Sequence, residues 1–460
     1  MGAANRASIA RVMVAVAVVL AAPDVRATSE VGNLFGGPTE AGAGSSWLNP
    51  AALTLAHGTN VWVEGGLVFI GGTYDRAGLD PATGQSFARA DLSARKPELA
   101  AAFSTDAADR RLRLALGFTV PFVDGARWPE KMTTPTGGSV LGPTVYHGYD
   151  ATSASFFITP TVAYEITPRL QIGGGINVIA TTVELHFYKD FGAQLDAMLG
   201  QNLFTPEDPQ LAAPATLEAR GWSLGFALGL TMTPVDGVRI GVDYVSASDA
   251  DLDTHVAIGD APALTQIRQE LRSKMLDLAL RSTGTLSWHI PQTAHAGLSI
   301  TPRAKLQLAF DFQWSDASSA SFAYLRMTQR TSNLIPEAAT AAQVRTDDYR
   351  VGGRVVYGWR PELRTVLRLQ YDRDAVPEQY MKPTNLGFDI FSVGLGAEWA
   401  LRTNLRLVAD YTHFFVFDRD VQTSAFRQGP DVVDAFNLPP TTGHYGATAN
   451  RVGMSLRWQL

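Results

Sequence analysis

The sequence predicts an all-β fold, an antiparallel barrel of about fourteen strands that crosses a membrane. The final stretch alternates Val452, Met454, Leu456, Trp458 and Leu460 with Arg451, Gly453, Ser455, Arg457 and Gln459. A closing strand that is apolar on one face and polar on the other is the pattern of a barrel whose outer wall is covered by lipid. The same two-residue period recurs down the chain, with no linker or composition break to divide it. Short and long connections alternate strictly between the candidate strands, which places tight turns on one side of the membrane and long loops on the other.

The N-terminus points to the same compartment. Arg6 and Arg11 precede an apolar run from Val12 to Ala22, about half of the roughly 20 residues that a spanning helix needs. Val25-Arg26-Ala27 supplies small residues where a signal peptidase cuts. Residues 1–27 therefore read as a secretory signal. With Arg6, Arg11, Arg26 and Asp24 removed, the formal charge of −6 becomes about −8, which argues against a nucleic-acid partner. The chain has no cysteine, so a disulfide framework and thiolate metal sites are excluded.

Each strand follows from where its charges can go. In Lys305 to Ser315, Leu306, Leu308, Phe310, Phe312 and Trp314 alternate with Lys305, Gln307, Ala309, Asp311, Gln313 and Ser315. A charge facing lipid near mid-membrane costs about 2 to 4 kcal/mol, so Lys305 and Asp311 belong inside. By the same logic Arg364, Arg368 and Asp372 turn inward while Thr365, Leu367, Leu369 and Tyr371 face out. Arg239 and Asp243 oppose Ile240, Val242 and Tyr244, and Asp410 opposes Leu405, Leu407, Ala409 and Tyr411. The interior is polar and carries both signs of charge.

Turn cues at Asp106 to Asp109, Thr167 to Arg169, Pro234 to Gly237, Thr301 to Ala304, Arg360 to Glu362 and Arg402 to Asn404 join strands closely. Longer connections are expected at 77–94, 126–150, 189–219, 258–281, 318–345, 375–387 and 420–447. If Ser282 to Pro302 is one strand kinked at Pro291, the count is fourteen, and both termini fall on the periplasmic side.

Three regions stand out. Residues 28–58, rich in Gly, Ala and Ser, have no barrel position to occupy, and form either a periplasmic tail or a plug within the lumen. Pro50 fixes its own φ and biases Asn49 toward an extended conformation, which suits a rigid bend. Pro121 interrupts an otherwise strand-like run from Leu112 to Phe122. It marks either a strand end or bulge, or, with Gly117, a weak point in the wall. Two long loops carry helical periodicity: Phe191, Leu195, Met198 and Leu199 in an insertion near 189–213, and Leu264, Ile267, Leu271, Met275 and Leu278 in one near 262–281. Their apolar faces either cover each other as a lid or line a groove for hydrophobic molecules.

Enzyme signals do not survive their context. Gly221-Trp222-Ser223-Leu224-Gly225 fits G-x-S-x-G but lies in an alternating strand, not before a helix. Asp249, Asp251 and Asp253 resemble the start of a calcium loop, yet Thr254 holds its glycine position. The histidines show no metal-binding spacing. No catalytic residue, cofactor or metal is expected.

Glu40-Ala41-Gly42-Ala43-Gly44 followed by Trp47-Leu48-Asn49-Pro50-Ala51 resembles the N-terminal hatch of the FadL family of outer-membrane long-chain fatty-acid and hydrocarbon transporters. Gly117 to Phe122, Thr159 to Gly175, Ile290 to Ser299, Tyr371 to Pro377 and Asp410 to Phe417 match that family's patterns in order. The resemblance implies a fourteen-stranded barrel at 59–460, plugged by a hatch at 28–58, with ligands leaving sideways through a gap in the third strand. It assigns the moving part of the hatch to Asn49, Pro50 and Ala51, the lateral opening to Gly117 and Pro121, and the capture groove to the two loop helices. Residues 28–58 are somewhat short for such a hatch, and the chain ends in Leu460 where barrels of this kind usually end in an aromatic.

The expected function is passive uptake of hydrophobic small molecules through the bacterial outer membrane, in contact with outer-membrane lipid and lipopolysaccharide, and by family precedent as a monomer. For a carboxylate ligand, Arg350, Arg354, Arg368 and Arg451 are candidate head-group partners, or else members of a structural charge network with Asp243, Asp311, Asp372 or Asp410. An importer of aromatic hydrocarbons and a general porin for polar solutes are the alternatives.

Overall fold

The computed structural model describes residues 34–460 except 82, 108–109, 134–136, 200, 264, 266–279, 331–336, 430 and 433. The expected signal at 1–27 lies outside the described residues. Fourteen antiparallel crossings close into one barrel. The first six are β1 (Asn60–Arg76), β2 (Ala90–Asp106), β3 (Leu112–Arg127), β4 (Asp150–Thr167), β5 (Leu170–Asp190) and β6 (Ala212–Val235). The next four each come in two segments: β7 (Val238–Val245 and Ser248–Ile258), β8 (Leu280–Ile290 and Thr293–Arg303), β9 (Leu306–Ser315 and Phe322–Arg330) and β10 (Ala338–Ala342 and Asp348–Arg360). Then follow β11 (Leu363–Asp372), β12 (Ile390–Arg402), β13 (Leu405–Val416) and β14 (Gly443–Gln459). The last strand pairs with the first in one unbroken register, from Asn60 opposite Gln459 to Arg76 opposite Gly443.

The alternation read from the sequence sets which way each side chain points. Val452, Met454, Leu456 and Trp458 are exposed on the outer wall, while Arg451 and Ser455 are buried. Phe310, Phe312, Leu367, Leu369, Val242 and Tyr411 are likewise exposed, against buried Asp243, Arg368, Asp372 and Asp410. The kink expected at Pro291 separates the two segments of β8, whose register to β7 is kept on both sides: Ile290 faces Ser248, and Thr293 faces Val245. Proline has no N–H to give the ladder, so the interruption falls where the chain cannot pair.

The segment 318–345, expected as a loop, instead holds the second segment of β9 and the first of β10, paired from Phe322 opposite Ala342 to Arg326 opposite Ala338. The expected 189–219 connection is also shorter, because β5 runs to Asp190 and β6 begins at Ala212. The physical reason is an inversion of polarity above the membrane. There the outward face meets water, so Asp249, Asp251 and Asp253 are exposed, while the inward face is apolar. Leu252, Val256, Ile258, Leu280, Leu286, Leu325 and Met327 are buried together in one cluster. The pleat continues, but with the greasy side turned inward the segment no longer matches a lipid-facing strand.

Candidate functional site

The first described residues make contacts around the inside of the barrel. Leu34 and Phe35 cluster with Val356, Val366 and Val408. The Gly36 carbonyl accepts hydrogen bonds from Arg354 and, at 3.1 Å, from Arg368. The Thr39 carbonyl accepts from Arg239 at 2.8 Å. Glu40 Oε1 receives Arg354 Nη2 and Gln307 Nε2, each at 2.8 Å. These partners lie on β7, β9, β10 and β11, so one short segment is tied to four strands of the wall.

A single helical turn, α1 (Ser45–Leu48), leads to Asn49 and then to a 3-10 turn, Pro50–Leu55. Asn49 has an extended backbone and caps that turn, its Oδ1 accepting from the Ala51 N–H at 3.1 Å. Its Nδ2 faces the Pro38 carbonyl at 2.7 Å, the Leu230 carbonyl at 3.1 Å and the Thr231 hydroxyl at 3.2 Å. Asparagine suits the place because one amide offers both an acceptor for the cap and donors for the wall.

The wall makes room by omitting side chains. A Cβ on Gly173 would lie 2.5 Å from the Pro50 carbonyl carbon, on Gly229 2.9 Å from the Ala51 nitrogen, and on Gly117 2.7 Å from Ser46 Oγ. One on Gly241 would strike the Pro38 carbonyl, and one on Gly297 would lie 3.3 Å from the Pro38 ring. Glycines on β3, β5, β6, β7 and β8 thus form a bare belt where the N-terminal segment lies against the sheet.

Above this segment lies a cavity of about 270 Å³. Gly36, Pro38, Trp47 and Leu48 lie along it, and Phe157, Ile179, Trp288, Ile290 and Phe388 give it apolar walls. Lys96, Glu98, Arg350, Arg368 and Asp372 add charge. A pocket of mostly apolar lining with a few placed polar groups is the usual form of a small-molecule site.

Pro121 is buried and lines the cavity. Around it the ladders fail. Between β2 and β3, pairing is lost from Ser93 opposite Arg127 to Ala100 opposite Thr119, and the register to β4 shifts between Thr119 and Phe122. Gly117 is in register with Thr159 on β4 and, as noted, makes room for Ser46.

The four candidate arginines part company. Arg451 is fully buried and bound to Glu98 at 2.6 Å, to Glu64 at 3.2 Å and to Asp410. Arg354 is held by Gly36, Asp311 and Glu40. Arg350, paired with Asp372 at 2.5 Å, and Arg368 line the cavity. In the loops, α2 (Phe191–Leu199) forms within the insertion expected near 189–213. Phe191 is buried in the extracellular apolar cluster and Leu195 is half-buried. The side chains of Met198 and Leu199, and all of Leu264, Ile267, Leu271, Met275 and Leu278, lie outside the described residues. Sequence reading missed Lys96, Glu98, Trp288 and His289; inward parity on β2 was the available signal for Lys96 and Glu98.

The profile of a family described as outer membrane protein transport protein (OMPP1/FadL/TodX) matches residues 7–459. No curated protein sequence matches the chain. Among solved structures, a FadL homologue from Pseudomonas aeruginosa is 15% identical with a TM-score of 0.76, covering 94% of this chain and 98% of that one. The toluene transporter TbuX of Ralstonia pickettii is 14% identical with a TM-score of 0.62, covering 95% and 98%. The P. putida toluene transporter TodX is 14% identical with a TM-score of 0.63, covering 92% and 96%. The closed barrel and the match over nearly its whole length place the chain in the bacterial outer membrane, and it belongs to the FadL/TodX family of transporters for hydrophobic compounds.

Proposed function

We propose that this chain carries long-chain fatty acids passively across the outer membrane and performs no covalent chemistry, with residues 28–58 acting as the hatch and the interrupted ladder between β2 and β3 as the exit into the bilayer. The observation that carries this reading is the cavity itself. It touches the N-terminal segment at Gly36 and Trp47, and the interrupted ladder at Lys96 and Pro121. A ligand displaced from above Trp47 therefore reaches Pro121 without crossing a paired wall.

The mixture of lining groups favours an amphipathic carboxylate. Trp288, Phe157 and Phe388 suit an alkyl chain, while Arg350, Arg368 and Lys96 suit its head group. Toluene offers these cations only the face of its ring, a weaker partner than a carboxylate that accepts charge-assisted hydrogen bonds. Aromatic hydrocarbon import remains the second reading, supported by the likeness to TbuX and TodX, which are described as toluene transporters. A general porin for polar solutes fits poorly with Arg354, Arg368 and Asn49 holding a segment across the lumen. Of the described α2 residues, Leu195 is the one left to serve a capture groove.

Cells lacking their own transporter of this kind and expressing the chain would be given labelled oleate and, separately, labelled toluene. Oleate uptake that disappears on deleting residues 28–58 or on Pro121→Val is the expected result. Toluene uptake alone would move the assignment to hydrocarbon import. Uptake of neither, from a correctly assembled barrel, would end the reading.

A further inference from the structure

The wall has a second interruption, opposite in character to the one at Pro121. On β8 and β9 the register jumps between Thr293 opposite Ser315 and Ser287 opposite Tyr324, so that six steps along β8 face nine along β9. The three extra residues are taken up by a 3-10 turn, Ala317–Ala320. Between the two paired stretches one backbone hydrogen bond crosses, among the described residues, from the Asp316 N–H to the Gln292 carbonyl at 3.1 Å. Pro291 contributes no N–H at this level, and β7 and β10 are also broken here, at 246–247 and 343–347.

Side chains close the break instead. Gln292 Nε2 donates to Asp316 Oδ2 at 3.0 Å, and His289 Nε2 lies 2.8 Å from Ser319 Oγ. On its other side His289 Nδ1 lies 2.6 Å from Asp249 Oδ1. This chain has the composition of a hydrolase triad, but the Asp249 side chain is 85% exposed and the Ser319 hydroxyl donates to the Asp316 carbonyl at 2.6 Å. It is a clasp in water, not a dry catalytic relay. The position matters for two further reasons. The cavity reaches this break, touching Trp288, His289, Pro291, Ser315 and Ala320. On the outer wall the break lies where apolar Phe312 and Val242 give way to Asp249 and Asp251, which is the level of the outer-leaflet interface.

We propose that the break between β8 and β9 is a second lateral port, joining the cavity to the outer leaflet and held shut by the His289–Ser319 and Gln292–Asp316 contacts. It rests on the transport reading above and adds a route that reading does not contain. Parting a paired ladder inside lipid would strip several backbone groups of their partners at once. Parting this stretch releases one backbone bond and a few side chains at a level where water replaces their partners. A hydrophobic molecule already dissolved in the outer leaflet would enter here without crossing the extracellular loops.

The chain has no cysteine, so the port can be stapled cleanly. His289→Cys with Ser319→Cys, and separately Gln292→Cys with Asp316→Cys, would be expressed in the same cells and assayed for labelled oleate uptake before and after bridging with a short bis-methanethiosulfonate, because these contacts join the ends of long side chains and lie too far apart at Cβ for a direct disulfide. The expected result is at least a twofold loss on bridging, restored by reductant. Equal uptake in the two states, with the bridge verified by mass, overturns the port while leaving transport intact. No uptake by the unmodified chain removes the transport reading, and the port with it.

Discussion

Arg354 Nη2 lies 2.8 Å from Glu40 Oε1, and through this pair strand β10 grips the N-terminal segment from inside the barrel. The Arg354 side chain has no solvent exposure, and it also binds Asp311 at 3.1 Å and the Gly36 carbonyl. Removing one partner of a buried ion pair costs about 3 to 5 kcal/mol, because the charge left behind has nowhere to go. Arg354→Ala should therefore loosen residues 34–40. Single-channel conductance in planar bilayers should rise severalfold, and Glu40→Gln should give a smaller rise. A conductance unchanged in both would show that this grip does not hold the lumen closed.

The glycine belt makes a steric version of the same prediction. Gly229→Leu and Gly173→Val place side chains where Ala51 and Pro50 now lie, at 2.9 and 2.5 Å from the nearest prospective Cβ contacts considered above. The barrel should assemble, since these strands keep their ladders, while residues 49–55 become cleavable by added protease. Resistance equal to the parent would mean that the wall yields rather than the segment.

The arginines should divide by their partners. Arg451→Met strands Glu64, Glu98 and Asp410 together without their cation, so assembly yield and melting temperature should fall with any substrate. Arg350→Met and Arg368→Met lie on the cavity and should lower fatty-acid uptake by severalfold while sparing toluene. Equal loss of both substrates in the latter two would argue for a structural role there as well.

Restoring the ladder at the first gap gives a test of the exit. Pro121→Val returns an N–H to β3 beside the stretch that has lost its pairing with β2. Uptake should slow severalfold with no fall in melting temperature. Faster amide exchange over 118–124 in the variant would contradict the premise that pairing had been regained.

The extracellular loop between β11 and β12 should respond to pH. Lys382 is buried there, its Nζ donating to the Ala342 carbonyl at 3.0 Å, and burial, with Arg345 nearby, lowers its pKa from 10.5 to about 7. The unfolded loop holds that proton up to about pH 10.5 while the folded one loses it near 7, so stability rises with pH across this window and is lowest below it. His147, buried and lowered to about 3, adds a rise of the same sign between about pH 3 and 6.5. Trp128, whose Nε1 donates to the Pro383 carbonyl at 3.0 Å, lies beside the loop. Proteolysis of 373–389 should be faster at pH 6 than at pH 9, and Lys382→Met should remove most of the difference. A pH-independent rate in the parent would refute the coupling.

What could be read from the sequence was whatever the bilayer enforces locally. Parity alone turned Asp410 and Arg451 inward and Tyr411 and Val452 outward, because lipid penalises the opposite choice at each position independently. Pro291 was legible for the same reason, as a missing donor. Above the membrane that penalty vanishes, so Phe322–Arg330 and Ala338–Ala342 passed for loop. Nor could parity say which inward arginine meets which acid. Arg451 finds Glu64 and Glu98 from the far end of the chain, a pairing fixed only when the barrel closes. The belt of Gly173, Gly229, Gly241 and Gly297 was hidden likewise, since each glycine looks like an ordinary weak spot until Pro38 or Pro50 is found against it.

Closure itself sets a limit on how this wall can move. Every residue of β1 from Asn60 to Arg76 has a partner on β14, whereas interruptions fall between β2 and β3 and along β6 to β10. The closing seam is thus one of the continuous ladders of the wall, and compliance lies in the flanks where ladders are broken. Fluctuations in bilayer tension can stretch those flanks while the zipper stays shut, so the protein can breathe without unrolling into a sheet and without opening the envelope to the detergents it exists to exclude.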